Sequence, residues 1–285
     1  MPESGNADAE IEKFKSWMIG ERKSRHTVKE YSFLVKHFLA FLNVDPHEIG
    51  KEEIENYKKF TATVKGYSRN SQYLAIKAIK LYFRYRGIAP PANLNPPVRS
   101  KKLPNYLNEA ETRGLIIAGK AHPKFIPIIM TLAYTGIRVG ELCSLDLKDM
   151  DLEENTIRIR GGKGDKDRIV IMSRECSASI REYIDVVRKS ANTTAALFVS
   201  SRGTRYDPST IERIVRRIRE EAGIAKKVTP HVLRHTFATS LLRNGGDIRF
   251  IQQILGHASV ATTQIYTHVD DGMLKDMYLK YQPRY

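Results

Sequence analysis

Several things are scarce in this chain of 285 residues, and each scarcity removes a class of function. There are 2 cysteines, Cys143 and Cys176, each in an apolar-patterned segment and without CxxC spacing. A disulfide framework is therefore unsupported, and a reducing cytosol is the expected compartment. The most apolar stretch, residues 125–137, falls short of the roughly 18 residues a bilayer span needs, and it contains Pro127. The first ten residues, MPESGNADAE, are polar and acidic, so no signal peptide is expected. No GxxxxGK[ST] loop and no GxGxxG before a helix occurs, which leaves no sequence signal for a bound nucleotide. Internal repeats and low-complexity segments are also missing. Acidic charge is the minority sign: 32 Asp and Glu stand against 47 Lys and Arg, a formal net charge of +15. That imbalance favours a polyanionic partner, nucleic acid or an acidic membrane surface, and the lack of a membrane segment favours the first. The excess is +6 over residues 1–100 and +9 over residues 101–285, so two lobes rather than one tail carry it.

The 41% of hydrophobic residues is enough for a proper core. Apolar residues recur at helical spacing over residues 9–20, 27–42, 51–64 and 71–85, with no strand-like alternation among them. Four short amphipathic helices with short connections predict a compact bundle. The fourth also carries Lys77, Lys80, Arg84 and Arg86, which reads either as a solvated basic face or as a stripe facing DNA. Residues 88–104 hold five of the 12 prolines and cannot continue a helix. They mark the domain boundary, and Arg99, Lys101 and Lys102 there could lie along a phosphate backbone. The expected organisation is a helical domain over 1–87, a basic Pro-rich linker over 88–106, and a second domain over 107–285.

The second domain is mixed. Helical patterns cover 109–119, 124–134 and 138–147. Residues 156–160 and 168–171 alternate strictly around GGKGDKD, which predicts a β-hairpin. Helices are expected again over 177–189, 208–222, 230–244, 247–255, 260–266 and 272–281. The fold class is thus mainly α with a small β-hairpin or sheet.

Chemistry-bearing residues cluster toward the end. In TPHVLRH, Thr229 is a good N-cap and Pro230 suits the first helical position. His231 and Arg234 then share the first turn, where free N–H groups and the positive end of the helix favour a phosphate. A proton carrier would sit beside a phosphate clamp there; the plainer reading is a capping His and an Arg paired with an acid. His231 and His235 are four apart, but no Glu follows His231 as HExxH requires, so no metal site is expected. His257 follows Gly256, a helix stop, nine positions before Tyr266. A phenol has a pKa of about 10, so a nucleophilic tyrosine needs cationic neighbours and a proton acceptor. Arg138 and Glu141 lie three apart at a helix start, either an ordinary pair or a phosphate-binding arginine oriented by a carboxylate. Lys163, in the hairpin turn, could donate a proton to a leaving alkoxide, with Lys166 a rival for that role.

Arg138 in TGIRVGEL, Lys163 in GGKGDKDR, His231 and Arg234 in HVLRH, His257 in LGHAS and Tyr266 in TTQIYTHV stand in one order along the chain. In this the sequence resembles the tyrosine recombinase (phage integrase) family over nearly its whole length. The LGHAS and IYTHV wording and the compact size are most similar to the Xer branch, archaeal members included. The resemblance implies a SAM-like core-binding domain followed by a catalytic domain. It implies a site-specific recombinase that cuts and rejoins DNA through a 3′-phosphotyrosine on Tyr266, as in resolving chromosome dimers. It assigns Arg138 and Arg234 to the non-bridging oxygens, Lys163 to protonating the 5′ oxygen, His231 to the tyrosine proton and His257 to a phosphate oxygen. Glu141 would support them. No metal, ATP or other cofactor is implied. The implied partners are a double-stranded DNA recombination site, a tetrameric synapse of the chain itself, and accessory proteins left open. A short tail helix near 274–281 would dock on a neighbouring protomer, or else pack on its own domain. Two alternatives remain: a type IB topoisomerase with the same tyrosine chemistry, and a DNA-binding protein without catalysis.

Overall fold

The computed structural model describes residues 4–42, 48–97, 105–160, 167–188, 194–256 and 271–285, with backbone alone for 4–7 and 271–274. The chain divides into two compact units, residues 1–103 and 104–285.

The first unit holds α1 (Ser4–Gly20), α2 (Arg25–Leu42), α3 (Lys51–Thr63) and α4 (Arg69–Arg86). Helix α4 organises it. Ser68 caps its start by accepting from Ser71 N at 3.1 Å, and Gly87 ends it at φ +67°. Its Ala75, Ala78 and Tyr82 pack with Phe14, Met18 and Val35, while Ile76, Ile79 and Phe83 pack with Phe38, Ile54 and Tyr57. Two adjacent apolar stripes on one helix thus hold the other three in place. The Pro-rich segment does not leave this unit at once. Leu94 is buried in the second cluster and Ile88 packs beside it. Lys58 Nζ donates to Asn93 O at 2.6 Å, and Asn93 Nδ2 donates to Lys51 O at 2.8 Å.

The second unit holds α5 (Glu109–Lys120), α6 (Ile126–Thr135), α7 (Val139–Ser144), β1 (Met150–Asp151), β2 (Thr156–Ile159), β3 (Arg168–Ile171), α8 (Arg174–Glu182), α9 (Pro208–Glu221), α10 (Pro230–Arg243), α11 (Ile248–Leu255) and α12 (Asp271–Tyr281). The long apolar run is α6, buried from Pro127 to Thr135 on every side, as a helix apolar all round must be. Among the described residues no helix is long and apolar enough to cross a membrane.

Three elements depart from the sequence reading. The helix expected over 138–147 stops at Ser144, because Leu145 turns extended and its carbonyl accepts from Leu197 N and Arg205 Nη1. The helix expected over 177–189 begins at Arg174, capped by Ser173, and runs into a π-helical turn over Tyr183–Arg188. The hairpin gains a third strand: the sheet order is β1-β2-β3, all antiparallel, with Ile157 opposite Val170. Alternation also fails at the end of β3, where Val170 and Ile171 are both buried. Val170 faces the main core, and Ile171 faces a second cluster with Phe237, Phe250 and Tyr278, so the end of β3 is covered on both sides.

The tail helix α12 packs on its own unit. Tyr278 is fully buried in that second cluster and donates its hydroxyl to Tyr134 O at 2.9 Å. Beyond it, Asn244 Nδ2 donates to the carbonyls of Tyr281 and Gln282. The ring of Tyr285 lies edge-on to Tyr134, with the centroids 5.2 Å apart.

Candidate active site

Helix α10 supplies the most buried cation of the cluster. Thr229 caps it, accepting from Val232 N at 3.2 Å, and Pro230 takes its first position. His231 then stands exposed on the first turn while Arg234, one turn on, is buried with 6% exposure. A buried guanidinium must have acceptors. Arg234 Nη1 donates to Gly136 O and Nη2 to Leu255 O, each at 2.7 Å. Both acceptors are helix C-terminal carbonyls: Gly136 ends α6 at φ +61°, and Leu255 is the last residue of α11. Burial, with repulsion from Arg138 and Arg168, lowers the Arg234 pKa to about 10 against the attraction of Glu141.

Arg138 comes from the start of α7, where its extended backbone opens the helix. Its N–H donates to Glu141 Oε2 at 2.8 Å and its Nη1 to Glu141 Oε1 at 2.9 Å. Its Nη2 reaches Gly256 O at 3.2 Å. The two arginines thus hold consecutive carbonyls, Leu255 and Gly256, at the end of α11. Gly256 takes φ +63° and lets the chain turn immediately before His257.

A further residue, absent from the sequence reading, completes the cluster. Arg168, the first residue of β3, grips Glu141 with both Nη groups, at 2.9 and 2.8 Å. Glu141 therefore accepts four hydrogen bonds. Burial would raise its pKa, but the Arg168 fork, the Arg138 N–H and the two positive charges hold it below the ordinary carboxylate value. The Arg168 side chain also lies against Gly256: a Cβ there would meet its Nε at 3.0 Å and its Cδ at 3.1 Å. Arg168 and Glu141 are 27 residues apart, so no local spacing signals the pair.

The structure therefore brings Arg138, Glu141 and Arg234 together around the end of α11. Lys163 and its rival Lys166, His257 and Tyr266 lie outside the described residues, as do Arg99, Lys101 and Lys102. His235 does not join the cluster. Its ring sits edge-on to Tyr106, and burial and the neighbouring His231 lower its pKa. Among the described residues no group of three or more His, Cys, Asp or Glu side chains is placed to hold a metal ion. In the first unit, Lys77 and Arg84 are exposed on α4, and Lys80 reaches Asn95 Oδ1 at 3.3 Å. Arg86 is diverted into an ion pair with Glu10 at 2.8 Å.

Two family models match this chain. One, described as the phage integrase family, covers residues 100–273; the other, a phage integrase N-terminal SAM-like domain, covers residues 11–86. The chain belongs to the phage integrase family, whose members here are tyrosine recombinases. It is 37% identical to tyrosine recombinase XerA of Pyrococcus furiosus, over 93% of this chain and 91% of that one. It is 32% identical to tyrosine recombinase XerD of Listeria monocytogenes, over 96% and 98%. Among solved structures, a XerA recombinase matches at 55% identity and a TM-score of 0.54, covering 98% of this chain and all of that one. A XerH site-specific recombinase bound to its difH substrate before cleavage matches at 25% identity and a TM-score of 0.67, covering 87% and 77%. A λ integrase tetramer bound to a Holliday junction, 17% identical at a TM-score of 0.70, shares the fold. Family membership accounts for the mainly helical, two-unit architecture.

Proposed function

We propose that this protein performs site-specific recombination of double-stranded DNA, with Tyr266 as the nucleophile. The observation that carries the reading is the anchoring of Arg138 and Arg234 on the consecutive carbonyls of Leu255 and Gly256, beside His257. Two guanidinium groups from distant helices are thereby fixed on carbonyls that stand ten and eleven residues before the tyrosine. Phosphoryl transfer needs such positioning and cationic clamping more than any redox group.

In the proposed reaction Tyr266 attacks the scissile phosphate, forming a 3′-phosphotyrosine and releasing a 5′-hydroxyl. Arg138 and Arg234 bind the non-bridging oxygens and stabilise the charge that develops on them. His231, exposed on α10, takes the tyrosine proton, and His257 hydrogen-bonds a phosphate oxygen. Lys163 protonates the departing 5′ oxygen. Glu141 orients Arg138. The phosphotyrosine conserves the bond energy, so rejoining needs no ATP. Lys77, Lys80 and Arg84 on α4, together with Arg99, Lys101 and Lys102, contact the DNA backbone. Four copies assemble on two duplexes, and the reaction serves chromosome dimer resolution in the cytoplasm. The XerA and XerD names of the relatives and the tetrameric λ integrase complex support this part of the reading.

The test is trapping on a nicked target duplex, read as a covalent adduct on a denaturing gel. The wild type forms the adduct and Tyr266→Phe does not; an undiminished adduct in Tyr266→Phe would remove Tyr266 from the mechanism. Strand exchange between two duplexes supports recombination, whereas supercoil relaxation at many sites without exchange supports a topoisomerase instead. A substrate with a better 5′ leaving group rescues Lys163→Ala. Rescue of Lys166→Ala alone would move the general acid to Lys166.

A further inference from the structure

Arg168 has no role in the reaction just proposed, yet both its Nη groups hold the residue that orients Arg138. Its side chain is 14% exposed, whereas that of Arg138 is 36% exposed. Arg168 therefore sits behind the site and Arg138 at its accessible edge. Between them lies Glu141, 13% exposed, which Arg168 holds through two bonds and Arg138 through one side-chain bond.

Charge accounting makes the arrangement meaningful. Arg138, Arg168 and Arg234 supply three positive charges and Glu141 one negative charge. A carboxylate shared with Arg168 leaves part of the Arg138 charge uncompensated and available to an anion. Without Arg168, the whole carboxylate charge would fall on Arg138, at short range and largely screened from water, where ion pairs are strongest. The second contact works in the same direction. The Arg168 stem lies against Gly256, whose carbonyl receives Arg138 Nη2. Loss of the stem would loosen both anchors of Arg138 together.

We propose that Arg168 is a positioning residue of the strand-cleavage reaction: it fixes and neutralises Glu141, and so keeps Arg138 free to clamp the scissile phosphate. The inference rests on the reading of Arg138 as a phosphate clamp. It predicts behaviour that a packing role does not, namely that removing the carboxylate repairs the loss of Arg168.

The experiment measures single-turnover cleavage of the nicked duplex by full-length wild type, Arg168→Met, Arg168→Lys and the double variant Arg168→Met/Glu141→Gln. Methionine keeps most of the stem and removes the charge. Arg168→Met is expected to cleave about 10–100-fold more slowly, as removal of a supporting residue commonly does in other sites, with DNA affinity changed less than about 3-fold. Arg168→Lys retains the charge and recovers part of the rate. The double variant restores the charge balance and cleaves at least about 5-fold faster than Arg168→Met. Equal rates for wild type and Arg168→Met overturn the proposal, as does a double variant slower than Arg168→Met. If Arg168→Met does not fold, the neutral Arg168→Gln, alone and combined with Glu141→Gln, gives the same comparison. A wild type that forms no adduct would instead sink the recombination reading. The ¹⁵N signals of the Arg138 guanidinium then decide the positioning claim: slow Nε–Cζ rotation in wild type, lost in Arg168→Met, supports it, and unchanged rotation overturns it.

Discussion

Replacing Gly136 by alanine tests whether the arginine anchors depend on backbone that only glycine can supply. Gly136 ends α6 at φ +61°, in the left-handed region. An L-residue there costs roughly 1–2 kcal/mol. Space is the second cost: an added Cβ would fall 2.4 Å from Phe237 Cδ1 and 3.0 Å from Leu255 Cδ2. Neither ring nor leucine can swing into solvent, since Phe237 is fully buried and Leu255 is 3% exposed. Overpacking of this kind typically costs about 1–3 kcal/mol. Together the two terms give a destabilisation of about 2–5 kcal/mol. At about 2–4 °C per kcal/mol for a unit of this length, the melting temperature should fall by roughly 4–20 °C. The Gly136 carbonyl also holds Arg234, and Leu255 holds it from the other side, so cleavage should fall more steeply than stability does. The control lies four residues on. A Cβ at Gly140 meets nothing within 4 Å, and the residue sits in α7. Gly140→Ala should therefore be neutral or stabilising, by up to about 1 kcal/mol. Scanning calorimetry of both variants is the assay. A Gly136→Ala protein that melts within about 2 °C of wild type would show that the position accepts a side chain without strain or clash.

Two other predictions use the remaining geometry. Glu141 is held below its ordinary pKa, so its contribution to stability is present above the unfolded-state value and is lost as pH falls through the lowered folded-state value. The stability gap between wild type and Glu141→Gln, from denaturant melts, should thus shrink on going from neutral to acidic pH; a gap that widens would contradict the assigned pairs. Lys77→Ala/Lys80→Ala/Arg84→Ala should weaken DNA binding and lower the slope of log affinity against log salt by roughly 3, read by fluorescence anisotropy. An unchanged slope would take α4 off the DNA.

The parts of the site that could be read from the sequence are those built from local rules. Thr229, Pro230, His231 and Arg234 form a cap and one helical turn, and the structure has them so. Arg138 and Glu141 are likewise three residues apart across a helix start, and their pairing survives intact. Arg168 escaped because its meaning is tertiary. In an alternating strand it reads as one more outward polar residue, and only the packing of β3 beside α7 brings it to Glu141. Leu94 was missed for a similar reason: prolines around it signal a linker, but one buried leucine and two asparagine bonds tie the segment to the helical unit. Strand β1 is two residues long, too short for any periodicity to register. The doubly buried end of β3 depends on α12, a helix some 100 residues later in the chain, and alternation cannot anticipate that.

The proposed reaction turns on one phenolic oxygen becoming bonded to DNA. The most direct measurement is mass spectrometry of the trapped adduct after nuclease and protease digestion. The expected product is a nucleotide remnant on the peptide containing Tyr266, linked through a 3′-phosphate, with a free 5′-hydroxyl on the released strand. A remnant on another residue, or a 5′-phosphate linkage, would contradict it.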